Sequence, residues 1–174
     1  MIIRREEEKD YNSVKKTVRS AFYQKGADDR LNEWTLVEKI RKDKGYIPEL
    51  ALVAEDNGAV IGYIMFSRCM IGENESIALA PLAVSPEKQN LGVGTLLVEK
   101  GLEEAFFLGY SSVIVLGGEY YKRFGFEPVN SRIHLSDELD GYLYIKTADK
   151  KSKNDFSGQV KYCGAFYDES GKLI

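Results

Sequence analysis

The run Ile77-Ala-Leu-Ala-Pro-Leu-Ala-Val84, the link Ser85-Pro-Glu-Lys88 and the turn Gln89-Asn-Leu-Gly-Val-Gly-Thr95 decide the fold. An apolar strand comes first. A turn with two glycines follows, and the chain then enters a helical pattern with Val93, Leu96, Leu97, Leu102 and Ala105 on one stripe. Strand, glycine turn and helix in that order point several free backbone N–H groups at one spot, at the positive end of a helix dipole. Such a spot suits phosphate or pyrophosphate. Gly92 and Gly94 lack a Cβ, so a bulky anion can approach the main chain closely.

Two nucleotide patterns fit poorly. The Walker loop needs a four-residue spacer and a lysine, and both are missing. The dinucleotide fingerprint needs a third glycine, and Leu97 stands in its place. No acidic residue follows at the end of a second strand roughly 20 residues on, where ribose binding would want one. What remains is Gln89-x-x-Gly92-x-Gly94 after a strand. It resembles the acetyl-CoA loop of the GNAT superfamily of N-acetyltransferases, usually written Arg/Gln-x-x-Gly-x-Gly/Ala.

A second motif agrees with the first. Downstream lies Tyr120-Tyr-Lys-Arg-Phe-Gly-Phe-Glu-Pro128, preceded by the apolar run Val113-Ile-Val-Leu116. In that superfamily a strand after the loop helix leads to a short helix ending in Tyr-x-x-x-Gly-Phe, here Tyr121, Gly125 and Phe126. The tandem tyrosines with Arg-Phe-Gly-Phe look like one bacterial-type subgroup whose substrates are poorly defined. The resemblance covers residues 75–128. It implies an α/β fold, a mixed central sheet flanked by helices, in one domain over residues 1–174.

The resemblance also implies an activity: transfer of an acetyl group from acetyl-CoA to an amine of a small molecule or peptide, directly and without an acyl-enzyme. Amide formation from a thioester needs a neutral amine, a stabilised oxyanion and a protonated leaving thiolate. Tyr121 matches the tyrosine that relatives use as leaving-group acid, and a phenol of ordinary pKa holds its proton at neutral pH. Tyr120 would take that role if the register were off by one. The main chain of Leu82, Ala83 and Val84 should meet the pantetheine arm, because in the family this strand splays from its neighbour. Pro81 adds a local reason, since proline cannot complete a ladder. Gln89 should order the loop, and the amides of Gln89, Asn90, Leu91, Gly92, Val93, Gly94 and Thr95 should hold the pyrophosphate. Glu75 is the candidate base, with Glu73 and Glu119 as alternatives. A non-catalytic acyl-CoA-binding module on the same fold is the competing reading, since fold alone does not fix function.

Composition excludes other classes. The 174 residues carry a net charge of −3, which gives no support for a nucleic-acid binder. No run approaches the roughly 18 apolar residues of a membrane span, and the first residues lack a signal core. Cys69 and Cys163 form no CxxC pattern and read as buried thiols in a reducing cytoplasm. One histidine, His134, and two remote cysteines argue against a metal site. A homodimer is left open. Residues 51–110 hold Arg68, Lys88 and Lys100 against eight acidic groups, a balance expected of a solvated face and compatible with a cationic amine.

The rest of the chain supplies the frame. Ile2 and Ile3 start a strand. Asp10 or a nearby residue should cap a helix carrying Tyr11, Val14, Val18 and Phe22. A second helix should start after Asp28-Asp29 and carry Leu31, Trp34, Val37 and Ile40, with Gly45 and Pro48 stopping it. Runs 50–55 and 59–71, joined by Asp56-Asn-Gly58, read as a hairpin. Trp34 and Tyr23 lie in or near the helical region that forms substrate walls in the resembling family, and their simpler reading is core. Residues 141–147 alternate like a strand, 149–158 form a polar, lysine-rich and mobile-looking stretch, and Gln159 to Tyr167 reads as a last strand or tail.

Overall fold

A computed structural model describes residues 1–23, 33–149 and 155–174. The strands are β1 (Ile2–Arg5), β2 (Tyr46–Asp56), β3 (Ala59–Ile71), β4 (Asn74–Val84), β5 (Ser112–Leu116), β6 (Glu127–Pro128), β7 (Ile133–His134), β8 (Leu143–Thr147) and β9 (Gly158–Tyr162). The helices are α1 (Tyr11–Phe22), α2 (Glu33–Arg41) and α3 (Val93–Phe107). The sheet runs β1-β2-β3-β4-β5-β8-β6, and β9 pairs with both β3 and β7. Only β4–β5 and β7–β9 are parallel among the described pairs. The sheet is thus mixed and mostly antiparallel, with helices on both faces.

The period of two along the inner strands explains the layers. On β3, Ile64 and Phe66 join Leu97, Val98 and Leu102 of α3 on one face. Tyr63 and Met65 face Val14, Val18, Trp34 and Val37 of α1 and α2 on the other. Both faces are covered, so β3 reads as a continuous apolar run. The β2–β3 turn falls at Asn57-Gly58, both with left-handed φ (49° and 79°), as a two-residue hairpin requires.

Two glycines let α3 lie close on the sheet. A Cβ on Gly101 of α3 would fall 2.5 Å from the Phe66 ring, and one on Gly62 of β3 would fall 2.9 Å from Leu97. This approach fixes the height at which the first turn of α3 meets the end of β4.

The other face is tied by a buried ion pair. Arg41 reaches Glu6 at 2.6 Å, and the Glu6 side chain is 1% exposed. The Tyr46 and Tyr63 hydroxyls donate to the same carboxylate at 3.1 and 3.0 Å, and the Arg41 guanidinium lies 3.9 Å from the Tyr11 ring centroid. The pair fastens the end of α2 to β2, β3 and the segment after β1.

Several expectations need adjustment. Asp10 sits at the start of α1 but makes no side-chain cap. Its carboxylate takes the Arg4 guanidinium at 2.6 and 2.9 Å and the Glu7 N–H at 2.9 Å instead, since a two-pronged, charge-assisted bond to arginine is stronger than a neutral cap bond. β2 begins at Tyr46 and runs through Pro48, where the register slips between Tyr46 and Ala51 and the missing N–H is tolerated. Tyr23 is exposed, while Trp34 is core. The expected start of α2 after Asp28-Asp29, with Leu31, lies outside the described residues, as do residues 150–154 of the lysine-rich stretch.

Candidate active site

The groove starts where β4 loses its neighbour. The β4–β5 ladder holds at Ile77, Ala78 and Leu79, opposite Val113, Ile114 and Val115, and then stops. β4 runs on to Val84 alone on that side. Its other edge explains the divergence. Ile64 pairs with Leu82 and Phe66 with Leu79, so Ala80 and Pro81 form a bulge against Met65. A bulge bends its strand and raises local twist. The Ala80–Pro81 bond is cis.

Beyond the bulge lies a polar cleft of about 560 Å³. Leu82 and Val84 form its floor, and Gln89, Asn90, Gly92, Gly94 and Thr95 form its rim. Asn90 (φ 61°) and Gly92 (φ 84°) are both left-handed, which turns the chain sharply into α3. No side chain caps α3 at Gly92, so its first amides face the cleft uncapped. Gln89 donates from Nε2 to the Val84 carbonyl at 3.1 Å and straps the loop to the strand end. Lys88 and Arg123 also line this cleft. The sequence reading assigned neither. Their signal was position: Lys88 immediately precedes the loop, and Arg123 lies inside the tyrosine motif.

On the other side of Leu82 and Tyr120, which line both spaces, is a second cavity of about 450 Å³. The β4 segment Ala78–Leu82 and the end of β5 form its floor. Tyr121 lines it, lying so close over Gly117 that a Cβ there would fall 2.5 Å from the ring. The Tyr121 ring meets Phe126 and Tyr120 edge-on, with centroids 5.7 and 5.2 Å apart. Burial, and then the neighbouring Tyr120, pushes the Tyr121 phenol up to about 12. Among the described residues its hydroxyl makes no hydrogen bond, so the proton it holds is available to a ligand. Tyr120 is placed differently. Its hydroxyl lies 3.1 Å from where a Gly94 Cβ would be, beside the first turn of α3, and Arg123 sits 4.5 Å from its ring centroid.

These features match a known family over most of the chain: the Acetyltransferase (GNAT) family profile aligns with residues 8–126. The chain belongs to the GNAT family. It is 43% identical over 101 residues to YjhQ of Escherichia coli K12, named an uncharacterized N-acetyltransferase, over 55% of this chain and 56% of that protein. The chain thus spans about half the length of the curated relatives it matches. Its fold is similar to that of the E. coli GNAT protein YhbS in complex with CoA (TM-score 0.85, 28% identity, 99% of this chain and 94% of that one). It is also similar to a Brucella melitensis GNAT acetyltransferase in complex with acetyl-CoA (TM-score 0.76, 29% identity, 95% and 97%).

Within this GNAT frame the predicted residues divide. Leu82, Val84, Gln89, Asn90, Gly92, Gly94, Thr95 and Tyr121 converge on the two joined spaces. Ala83 turns its side chain into the α1–α2 core, Val93 packs on Gly62, and Leu91 is 67% exposed, so only their backbone can serve the cleft. Glu75 stands apart. It lies at the opposite end of β4, 62% exposed and 3.6 Å from Arg68, on a different surface depression. Glu119 is exposed and pairs with Lys122. His134 pairs with Asp140 at 2.6 Å. Among the described residues no group of three or more His, Cys, Asp or Glu is arranged to hold a metal, and no helix is long and apolar enough to cross a membrane.

Proposed function

We propose that the protein is an acetyl-CoA-dependent N-acetyltransferase that transfers directly to an amine. The observation that carries this reading is the continuity of the two spaces at Leu82 and Tyr120, with Tyr121 facing the second. The uncapped amides of α3, with Lys88 and Arg123, fit a pyrophosphate by charge and donor supply. The edge of β4 beyond Leu79, freed from β5, offers N–H and C=O groups to a peptide-like arm. Acetyl-CoA supplies an activated acyl group: the amine nitrogen forms a C–N bond, the C–S bond breaks, and CoA leaves as its thiol.

Tyr121 is the candidate donor to the departing sulfur. At about 12 its phenol stays protonated through neutral pH. An ordinary thiol titrates near 8.5, so full proton transfer from this phenol is uphill by several kcal/mol. Its part is therefore a hydrogen bond that stabilises developing negative charge, with the attacking amine supplying the proton that ends on sulfur. Glu75 remains the sequence-based base candidate, but its position on β4 favours deprotonation of the amine by water over direct abstraction.

The test is CoA titration followed by thiol release in single turnover with an accepted amine. Tyr121→Phe should keep CoA affinity and slow the chemical step by about 10²–10³-fold, the cost of one preorganised donor. Tyr120→Phe should change CoA affinity more than chemistry. A parental rate for Tyr121→Phe removes it from the mechanism. CoA binding without turnover of any amine would favour the acyl-CoA-binding module instead.

A further inference from the structure

The lining of the second cavity differs in kind from that of the cleft. Its outer wall comes from three remote parts of the chain: Phe22 ends α1, Leu36 lies on α2, Tyr162 ends β9, and Phe166 and Leu173 follow it. Tyr162 and Phe166 stack with centroids 4.6 Å apart and planes 23° apart, and both rings line the cavity. Among the described lining residues Glu33 is the single charged side chain. The cations of the site, Lys88 and Arg123, line the other space.

We infer that the acceptor is a small monoamine on an apolar, ring-sized body, its single positive charge received by Glu33 and its body by the wall of Phe22, Leu36, Tyr162, Phe166 and Leu173. The inference rests on the acetyltransferase reading of the same site and names its substrate class. The physical reason is desolvation. A buried charge is tolerated when paired and is costly when it is not. One ammonium finds Glu33 on entry, and gives one proton to water before the neutral nitrogen attacks. The further ammonium groups of a polyamine or an aminoglycoside would enter a space whose described lining offers no second carboxylate side chain. The α-carboxylate of a free amino acid would find no lysine or arginine among the described lining residues. A decarboxylated amine with an aromatic or branched aliphatic body meets neither penalty, and its body removes apolar surface from water on both sides.

The experiment compares 2-phenylethylamine with phenylalanine, spermidine and kanamycin, by thiol release from acetyl-CoA and by calorimetry on the CoA-loaded protein. The expected result is a kcat/KM for 2-phenylethylamine at least about 100-fold above each of the others. Glu33→Gln should raise the amine KM about 10-fold or more, leave CoA affinity and the melting temperature unchanged, and be partly rescued by Glu33→Asp. Leu36→Ala should shift preference toward bulkier amines. Preference for phenylalanine, spermidine or kanamycin, or an unmoved amine KM in Glu33→Gln, overturns the inference and leaves the acetyltransferase reading standing. CoA binding with neither binding nor acetylation of 2-phenylethylamine also overturns it. Absence of CoA binding overturns both.

Discussion

The donor side and the acceptor side of the groove are built in opposite ways. The donor side is nearly contiguous in sequence, from the end of β4 to the first turn of α3, and most of its predicted contacts are backbone groups. The acceptor side gathers Phe22, Glu33 and Leu36 with Tyr162, Phe166 and Leu173, and its character lies in side chains. A backbone site is specified by φ and ψ, so its residues are those that permit unusual turns. A side-chain site can change its lining without disturbing the turns beside it. Under the proposed function, one half of the groove is therefore tied to one ligand and the other can vary its choice.

The largest expected effect separates the halves by stability. Arg41→Ala removes the partner of a carboxylate that is nearly inaccessible to water. Stranding such a charge costs about 3–5 kcal/mol. Denaturant unfolding should show that loss, and Glu6→Gln, which keeps hydrogen-bonding capacity at the site, should lose less. Because the pair holds α2, amine binding should weaken before CoA binding does. Equal weakening of both would mean that the two halves are mechanically one.

Next in size is Gly92→Asp. Nothing lies within 4 Å of the Cβ position, so the added side chain meets no protein atom. The penalty comes from the left-handed φ of 84° and from a negative charge in the anion cleft. CoA affinity measured by calorimetry should fall about 100-fold. Gly94→Asp should act similarly, with the extra demand that the Tyr120 hydroxyl move.

A smaller effect tests the seat of α3. Gly101→Ala gains about 1 kcal/mol of helix propensity. It also drives a methyl into the fully buried Phe66 ring, and overpacking of this kind costs about 1–3 kcal/mol. The ring has no free space to yield, so we expect net destabilisation of about 1 kcal/mol and a melting temperature lower by about 2–4 °C.

The smallest effect at working pH concerns the phenols. Tyr121 is held up to about 12, and burial also raises Tyr46, Tyr63 and Tyr162. Their folded values exceed the unfolded value near 10. The stability they contribute is therefore complete below about pH 10 and is lost as pH rises toward the folded values. Burial likewise holds the Cys69 and Cys163 thiols up to about 12 and 11, so thermal melts should begin to fall above about pH 9 and fall more steeply above about 10, where the phenols join. The rate of the chemical step should show no alkaline limb from Tyr121 below about pH 11.

Legibility followed the same division. The hairpin at Asn57-Gly58 and the turn at Gly92 were readable because left-handed backbone leaves a residue-level mark. Tyr121 was readable from its spacing to Gly125 and Phe126. The acceptor wall left no such mark. Tyr162 and Phe166 come into place because β9 pairs with Cys69, Met70 and Ile71 of β3, a match across many residues that no local pattern announces. Glu33 was one carboxylate among many until the fold surrounded it with apolar groups. Glu75 was chosen by its place at the head of a motif strand, and the length of β4 carries that end away from the groove.

The bulge at Ala80–Pro81 has a bearing on solubility as well as on binding. A strand whose edge has lost its neighbour is a template for another chain, the usual seed of edge-to-edge aggregation. Here the open edge is short, bent by the bulge and deprived of one donor by Pro81. A regular strand from a second molecule would find the repeat broken after a few residues. A slender, flexible arm with two or three amide groups needs no long repeat. The same irregularity that suits a short arm makes this open edge a poor template for a regular strand.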